Sequence, residues 1–199
     1  MAVLLVAAAC DAPGIKRNFG LPATETIEAA EATAEYRMSH PSRALVNAPS
    51  ALLVLERNLG SSHEQRITLP NATSFRGENV LILRAQTASS ASRSRFSLEE
   101  MLPRFGGAPS PFTSISDADL MVSEDRYGTF VYTSRRMAEG QVCVLAMRRA
   151  ETGARPLPRG STALDMMLRN CIHGSVAEAL APIGDTAFGL GTPLARVGQ

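Results

Sequence analysis

Several features are scarce in this chain of 199 residues, and each shortage narrows the class of protein. Tryptophan is absent and aromatic residues make up 5%, which disfavours a sugar-binding platform built from stacked rings. No run of about 18 apolar residues occurs, so we predict no transmembrane helix. The formal net charge of +1 is too small to attract nucleic acid, and we predict no nucleic-acid partner.

Motifs that mark catalysis or metal binding are also lacking. The sequence contains no CxxC, HExxH, GxSxG, phosphate-loop or GxGxxG pattern, and its three histidines stand apart from one another. We therefore predict no metal site and no cofactor, and we identify no catalytic residues. A carbohydrate-active hydrolase stays open as an alternative, because two carboxylates distant in sequence can meet in a fold.

The first residues, M-A-V-L-L-V-A-A-A-C, are typical of an exported lipoprotein. Nine residues are too few to span a bilayer, and small residues just before a cysteine are what lipoprotein signal peptidase requires. We expect residues 1–9 to be a signal peptide whose annotated start is too late, because no basic residue precedes the apolar run. Cys10 would then carry the lipid, and residues 10–31 would be a tether. The alternative is a buried N-terminal strand with a core cysteine.

The remaining two cysteines, Cys143 and Cys171, can pair with each other once Cys10 is lipidated. Export places them in an oxidising compartment, the periplasm, and both lie in strand-like segments. A bridge would close a loop of about 28 residues and contribute roughly 3 to 4 kcal/mol. Two buried free thiols are the alternative.

Apolar periodicity predicts a single α+β domain at residues 32–185, with a mainly antiparallel sheet of about six strands, a few short helices and a loose tail at 186–199. Met137 to Gly140 is predicted as a hairpin turn. The six predicted strands are Ala51–Arg57, Ser62–Leu69, Glu78–Ala85, Tyr127–Arg135, Gln141–Arg149 and Thr162–Ile172, with a helix as the alternative for the last of them.

Short helices are predicted between the strands from their N-cap residues. They cover Ser97 to Phe105, Asp117 to Glu124 and Ser175 to Pro182, and Glu25 to Arg37 is predicted to be helical or to end in a strand at Ala32 to Met38.

Two side-chain patterns in the predicted hairpin bear on its surface. We expect the pairs Arg135-Arg136 and Arg148-Arg149 to be solvated ends of strands, at opposite ends of the hairpin. Phe130 and Tyr132 are expected to share the core face, because alternate residues of a strand point the same way.

Four stretches with their order and spacing point to a family. They are L-L-V-L-E-R-N-L-G-S-S-H-E-Q-R-I-T-L, G-E-N-V-L-I-L-R, the pair R-Y-G-T-F-V-Y-T-S-R-R and G-Q-V-C-V-L-A-M-R-R, and L-D-M-M-L-R-N-C. Together they resemble the BcsN-type cellulose biosynthesis proteins, small exported accessory proteins of bacterial cellulose operons. The residues on the family pattern are Glu56, Arg57, Gln65, Gly77, Asn79, Arg126, Tyr127, Gly128, Cys143 and Cys171.

The chain departs from that pattern, as a divergent member would. Asn58 and Leu59 stand where the family has an arginine and an aromatic residue, and Val144 to Ala146 replace further aromatics. The resemblance covers roughly residues 44–171 and implies a role in cellulose synthesis or export for the biofilm matrix.

From this resemblance we expect a non-enzymatic periplasmic lipoprotein, anchored to the inner or the outer membrane only through its lipid. Its expected partners are other cellulose synthesis and export proteins or the glucan itself. The candidate contact residues are Tyr127, Tyr132, Arg135 and Arg136. A lipoprotein of another envelope assembly, such as a pilus or a secretion machine, is the alternative.

Overall fold

One antiparallel β-sheet forms the centre of the fold. The computed structural model describes residues 27–87, 98–104, 106–137 and 139–189. Its eight strands are β1 (Arg37–Ser39), β2 (Leu53–Asn58), β3 (Ser62–Leu69), β4 (Asn79–Gln86), β5 (Met121–Asp125), β6 (Gly128–Arg136), β7 (Gln141–Ala150) and β8 (Ala163–His173). They lie side by side in the order β1-β2-β3-β4-β8-β7-β6-β5.

The sheet consists of two four-stranded meanders joined at its middle. The chain runs inward from β1 to β4, leaves the sheet after Gln86, re-enters at the far edge as β5 and runs inward again to β8. The antiparallel pairing of β4 with β8 joins the two halves, with Val80 opposite Arg169 and Gln86 opposite Ala163. The centre of the sheet therefore depends on contacts between residues distant in sequence.

Short helices and loops cover both faces of the sheet. The α-helices are α1 (Ile27–Thr33), α2 (Leu98–Arg104) and α3 (Val176–Leu180), and the 3₁₀ turns are Pro41–Arg43, Asp117–Asp119, Ala181–Ile183 and Asp185–Ala187. We call the side covered by α3 and residues 183–188 face A, and the side covered by α2 and Phe112 face B. Each face has its own apolar cluster, so the sheet is the middle layer of three.

Strands β7 and β8 are buried along nearly their whole length because both faces above them are covered. Their sequences are near-continuous apolar runs, V-C-V-L-A-M in β7 and L-D-M-M-L in β8. Such runs are typical of strands buried on both sides. Successive residues alternate between the clusters: Val142 and Val144 pack on face A, and Cys143 and Leu145 pack on face B.

The α+β class with a mainly antiparallel sheet is confirmed, but the predicted number of strands is wrong. All six predicted strands are present within about two residues of their predicted ends, and β5 is additional. Within residues 25–37, Ile27–Thr33 forms helix α1, and the strand that was the alternative at Ala32 to Met38 is present only at its end, as β1. The predicted helix from Asp117 to Glu124 is also wrong. It ends after one 3₁₀ turn, Leu120 is extended, and the following residues pair with β6 as β5.

Other predictions stand as follows. The turn at 137–140 joins β6 to β7, and Ser175 caps α3 through a capping box with Glu178. Helix α1 begins inside the segment predicted as a tether, and the predicted boundary at 185/186 falls inside an ordered segment where Phe188 is buried. The signal peptide, Cys10, the tether up to 26, the Ser97 cap and residues 190–199 lie outside the described residues.

Candidate functional site

Face B carries a line of charged residues of alternating sign, which we call the polar row. Five consecutive strands, β2, β3, β4, β8 and β7, each place one charged residue opposite its neighbour, so that each arginine stands beside a carboxylate. In spatial order the members are Arg57, Glu64, Arg84, Asp165 and Arg149. Directly opposed residues of unlike charge stabilise an antiparallel sheet.

Glu64 is a buried member of the polar row with several hydrogen-bonding partners. It accepts hydrogen bonds from the Tyr36 hydroxyl, from Arg57 Nε at 2.9 Å and from Arg84 Nε at 3.0 Å. Helix α1 closes this end of the row, because Glu31 Oε1 lies 2.7 Å from Arg84 Nη1. Tyr36 lies beneath the Arg57 guanidinium, 4.5 Å from the ring centroid.

These contacts shift two pKa values in opposite directions. Burial by itself raises the pKa of Glu64, but the hydrogen bonds from Tyr36 and Arg84 and the charges of Arg84 and Arg57 outweigh it and lower that pKa. Burial, the hydrogen bond to Glu64 and the charge of Glu64 raise the pKa of Tyr36 to about 12. Glu64 is therefore ionised and Tyr36 protonated at neutral pH.

The other end of the polar row corrects one prediction. Arg149 Nε lies 2.5 Å from Asp165 Oδ1, and Gln86 Nε2 donates to Asp165 Oδ2 at 2.6 Å. The Arg149 side chain is only 16% exposed, and that of Arg148, on the opposite face, is fully buried. The expectation that both are solvated is wrong, because the register of β7 with β8 places Arg149 opposite Asp165 and a carboxylate also reaches Arg148.

Arg148 is the buried cation of face A. Its guanidinium forms a two-pronged ion pair with Asp125 at the end of β5, and it also donates to the carbonyls of Gly128 at 3.0 Å and Ile183 at 2.9 Å. The hydrogen bonds from Arg148 are the main reason why the pKa of Asp125 is lowered. This one side chain thus holds the β5–β6 turn to the C-terminal segment.

Arg148 lies inside a row of stacked aromatic rings and guanidinium groups, which we call the arginine–aromatic stack. Its guanidinium lies 4.9 Å from the Phe188 centroid and 5.4 Å from the Phe130 centroid. Beyond Phe188 come Tyr127 at 4.6 Å and then Arg126 at 5.1 Å, and Tyr132 lies 6.2 Å beyond Phe130. Each cation over a ring contributes roughly 0.5 to 2 kcal/mol.

The four predicted contact residues do not form one patch. Tyr127 and Tyr132 both join the arginine–aromatic stack on face A, and the expected placement of Phe130 and Tyr132 on one core face is confirmed. Arg136 shares that face at the far end of β6, while Arg135 points to face B, opposite Cys143. The four positions remain candidates as single surface contacts.

Arg169 is a buried cation that the sequence reasoning missed. It donates to the carbonyls of Ser110 at 2.6 Å, Arg76 at 2.5 Å and Glu78 at 2.7 Å, and its burial lowers its pKa. Gly77 has φ 101°, and a Cβ there would lie 3.3 Å from the Arg169 guanidinium. The side chain thereby fixes the loop before β4, and the required glycine in G-E-N is the signal that could have indicated a close contact.

The disulfide between Cys143 and Cys171 is present, as predicted. The two residues are directly opposed in the register of β7 and β8, with Cα atoms 3.9 Å apart, among the apolar residues of face B. Asn79 links the bridge to β4, since its side chain donates to the Cys171 carbonyl at 2.7 Å and accepts from the Cys171 amide at 2.8 Å. The bridge therefore joins strands at the centre of the sheet.

An open groove of about 650 Å³ lies on face A beside β2. Gln65 positions one wall by accepting a hydrogen bond from the Leu45 amide and donating to the Arg43 carbonyl. Among the described residues, the lining of the groove is mostly alanine and proline and includes no carboxylate. The lining residues are Pro41, Ser42, Ala44, Val46, Asn47, Ala48, Pro49, Ala51, Ala154, Arg155, Pro156 and Gly189. A molecule in this groove would make mainly apolar contacts and a few hydrogen bonds with the protein.

In the part of the chain that the structure describes, neither a cluster of metal ligands nor a membrane-spanning helix is found. No cluster of three or more His, Cys, Asp or Glu side chains could hold a metal ion there. None of the helices in the same residues combines the length and the apolar character that crossing a bilayer requires.

Comparisons with known proteins returned no relatives: no protein-family model matches the chain, and neither a curated protein nor a solved structure matches it.

Among the described residues, four carboxyl groups have lowered pKa values, and the cause of each lowering indicates what that group does. Arg148 lowers the pKa of Asp125, and the hydrogen bonds described above lower that of Glu64. Hydrogen bonds from the backbone of Ser116 and Ser175 lower the pKa of Asp119 and Glu178 respectively. A glycosidase needs one carboxyl with a raised pKa as its acid. These four groups are suited to ion pairing and helix capping.

Proposed function

We propose that this chain is a non-enzymatic, lipid-anchored periplasmic protein that assists bacterial cellulose synthesis and export by binding. Cys10 is the proposed lipid attachment point, and the anchor is the proposed means of membrane association. The observation that supports the proposed periplasmic location is the disulfide between Cys143 and Cys171 at the centre of the sheet. Structural disulfides persist in oxidising compartments such as the bacterial periplasm.

The proposed pathway rests on the resemblance to the BcsN-type proteins, and the places of the matching residues support it. They sit where loops and strands are tied together: Arg57 in the polar row, Asn79 at the disulfide, and Gly128 at the β5–β6 turn with φ 102°. A pattern of residues that hold one fold together is a signature of that fold. The pattern supports membership in a structural family and says little about chemistry.

A binding role fits the site better than glycoside hydrolysis does. The carboxyls with lowered pKa values are engaged by arginines and by backbone amides, as described above. Sugar stacking needs a free ring face, and Tyr127 has Arg126 over its ring and Phe188 against it. Phe130 likewise lies between Arg148 and Tyr132. We therefore favour protein partners of the cellulose machinery over the glucan itself.

The test is a clean deletion of the gene in the bacterium that encodes it. Cellulose is measured by dye binding and by solid-state NMR of the extracellular matrix. We expect the deletion to lower cellulose content or change its crystallinity, and we expect the intact gene to restore it. Unchanged cellulose in the deletion strain would overturn the proposed pathway.

The tether is tested separately in the same strain with Cys10→Ser. The matched control is Ser61→Ala, an exposed change in the β2–β3 turn. We expect the Cys10→Ser protein to leave the membrane fraction and to restore cellulose poorly, while the control restores it fully. Full restoration by a Cys10→Ser protein that still sediments with membranes would contradict the tether and leave the pathway intact.

A further inference from the structure

The groove on face A is built by contacts between three segments of the chain. Residues 41–51 form one wall and residues 154–156 another, and the Ala154 amide donates to the Leu45 carbonyl at 2.8 Å. Gly153 packs against the same carbonyl so closely that a Cβ there would lie 2.5 Å from its oxygen. A residue with a side chain at 153 would push the two walls apart, so the groove is part of the fold.

The third segment brings the C-terminal part of the chain to the groove. The Asn47 amide donates to the Ala187 carbonyl at 2.7 Å, and Phe188 is buried in the arginine–aromatic stack. Gly189 follows and is itself a lining residue of the groove. Because consecutive Cα atoms are about 3.8 Å apart, the chain enters residues 190–199 at the groove wall.

The residues that follow Gly189 have the character that the groove accepts. The sequence L-G-T-P-L-A, residues 190–195, contains two leucines and a proline and no charge. The described lining offers apolar surface from alanine and proline, with Ser42 and Asn47 as polar groups. Pro193 has a fixed φ, so the segment loses less conformational entropy on docking than a peptide without proline would.

Charge sets the point at which the segment leaves the groove. The next residue is Arg196, and the described lining holds Arg155 and no carboxylate. Removing a cation from water beside a like charge is unfavourable. The part of the chain that fits the groove therefore ends at Ala195.

Attachment at the groove wall gives this segment an advantage over a free peptide. A segment joined to its binding site by a short linker has an effective concentration in the millimolar range. Residues 190–195 follow Gly189 directly, and six extended residues reach roughly 20 Å from the wall. A partner peptide of the same chemistry would have to compete with them at that concentration.

We propose that residues 190–195 of this chain occupy the groove, with Leu190 and Leu194 packed against its alanines and prolines. The contact is intramolecular, and it does not depend on the proposed pathway. It replaces the loose tail predicted for these residues. While the segment is docked, the groove is closed to any other peptide.

The experiment measures how fast a thiol in the groove reacts with a maleimide. The full-length protein carries Cys10→Ser, keeps its native disulfide and has one reporter, Ala48→Cys, in the groove lining. Changing Leu190→Ser and Leu194→Ser together should raise the labelling rate at least about fivefold, because the reagent reaches the thiol only when the groove is empty. Equal rates with and without the leucines would overturn the proposal.

Matched controls separate docking from a general change in the protein. Thr192→Ser lies between the two leucines and should leave the rate at position 48 unchanged. A second reporter in the same lining, Ser42→Cys at an exposed position, should show the same dependence on the leucines. A reporter outside the groove, Met137→Cys, is 51% exposed in the β6–β7 turn and should react at one rate throughout. Faster labelling of this outside reporter in the variant without leucines would trace the effect to the whole fold and contradict docking.

A free peptide distinguishes the possible occupants. Synthetic L-G-T-P-L-A-R-V-G-Q at millimolar concentration should restore slow labelling to the variant without leucines, and the same peptide with serine in place of both leucines should not. Labelling of the protein that keeps its leucines should not depend on protein concentration. Protection that grows with protein concentration would identify the segment of a second copy as the occupant and overturn the intramolecular contact, and a peptide without effect would overturn the match between segment and groove.

Discussion

Replacing Glu64 with glutamine removes one charge from the polar row while keeping the shape of the side chain. The carboxylate is buried and bonds Tyr36, Arg57 and Arg84, and the Arg84 side chain is only 3% exposed. After the change, two arginines face a neutral amide. Arg84 keeps Glu31 at 2.7 Å, while Arg57 loses its carboxylate at 2.8 Å.

The expected magnitude follows from burial. Removing one partner of a buried ion pair costs about 3 to 5 kcal/mol, because a charge is left uncompensated. Since Glu31 still neutralises Arg84 in part, we expect Glu64→Gln to lower the free energy of unfolding by about 3 kcal/mol. The matched control is Glu78→Gln: its pair with Arg66, at 2.7 Å, is close in length to the pair of Glu64 with Arg57, at 2.8 Å, but the Glu78 and Arg66 side chains are 64% and 33% exposed. Exposed pairs contribute about 0 to 1 kcal/mol.

The assay is urea unfolding at neutral pH with the disulfide intact, followed by circular dichroism. It is repeated at falling pH. The pKa of Glu64 is lowered in the folded state from its ordinary value of 4.5, so its stabilising effect is present above that value and is lost as pH falls through the folded pKa. The gap between the native protein and the variant should therefore shrink in acid. Equal effects of the two substitutions, or a gap that stays constant in acid, would refute the reasoning.

Three further predictions concern the disulfide, the ion pair of Arg148 and the hydroxyl of Tyr36. Replacing Cys143 and Cys171 together by alanine should lower the free energy of unfolding by about 3 to 4 kcal/mol in urea, because the bridge closes a loop with a sequence separation of 28; a loss below about 1 kcal/mol would contradict this. Asp125→Asn should cost about 3 to 5 kcal/mol in the same assay, since it leaves the fully buried Arg148 without its carboxylate, and a cost no larger than that of Glu78→Gln would count against the pair. The pKa of Tyr36 is raised from 10.0 to about 12, so stability should fall as pH rises between those values; Tyr36→Phe should remove this slope, and an equal slope in both proteins would exclude Tyr36 as its source.

The strands that were predicted correctly are those whose burial is visible in the sequence. In β7 and β8 the apolar runs are long, and both strands lie in the central part of the sheet. The turn before β7 contains Glu139 and Gly140, both with positive φ, and glycine adopts such values without strain. Local sequence therefore predicts these strands and this turn, while the pairing of β4 with β8 depends on residues distant in sequence.

Strand β5 was missed, and β1 was anticipated only as an alternative, because the edge strands have little local signal. Strand β1 has three residues, and β5 reads M-V-S-E-D, in which the acids and the preceding Ser116 favour a helix start. The capping interaction does form, with Asp119 accepting from the Ser116 amide at 2.8 Å, but it holds a single turn. Pairing with β6 decides the conformation of the next five residues.

The buried charges could be predicted in part. Arg57 and Glu64 lie symmetrically about the turn between β2 and β3, so a simple hairpin register brings them together. Asp165 meets Arg84 only because β8 inserts beside β4, across a separation that no local pattern indicates. The prediction that Arg148 and Arg149 are solvated fails because both faces of β7 are covered.

Residues that stabilise the fold and residues that are exposed on its surface are expected to respond differently to substitution. Several positions produce the resemblance to the cellulose proteins, among them Arg57, Asn79 and Cys171. Their side chains make contacts within the fold, so we expect substitutions there to destabilise the protein before they affect binding to a partner. The edges behave differently: Met38 and Val122 contribute little burial to the monomer, and changing them should leave stability within about 0.5 kcal/mol. Loss of cellulose with an unchanged free energy of unfolding is therefore the result that separates a surface residue that contacts a partner from a residue that only stabilises the fold.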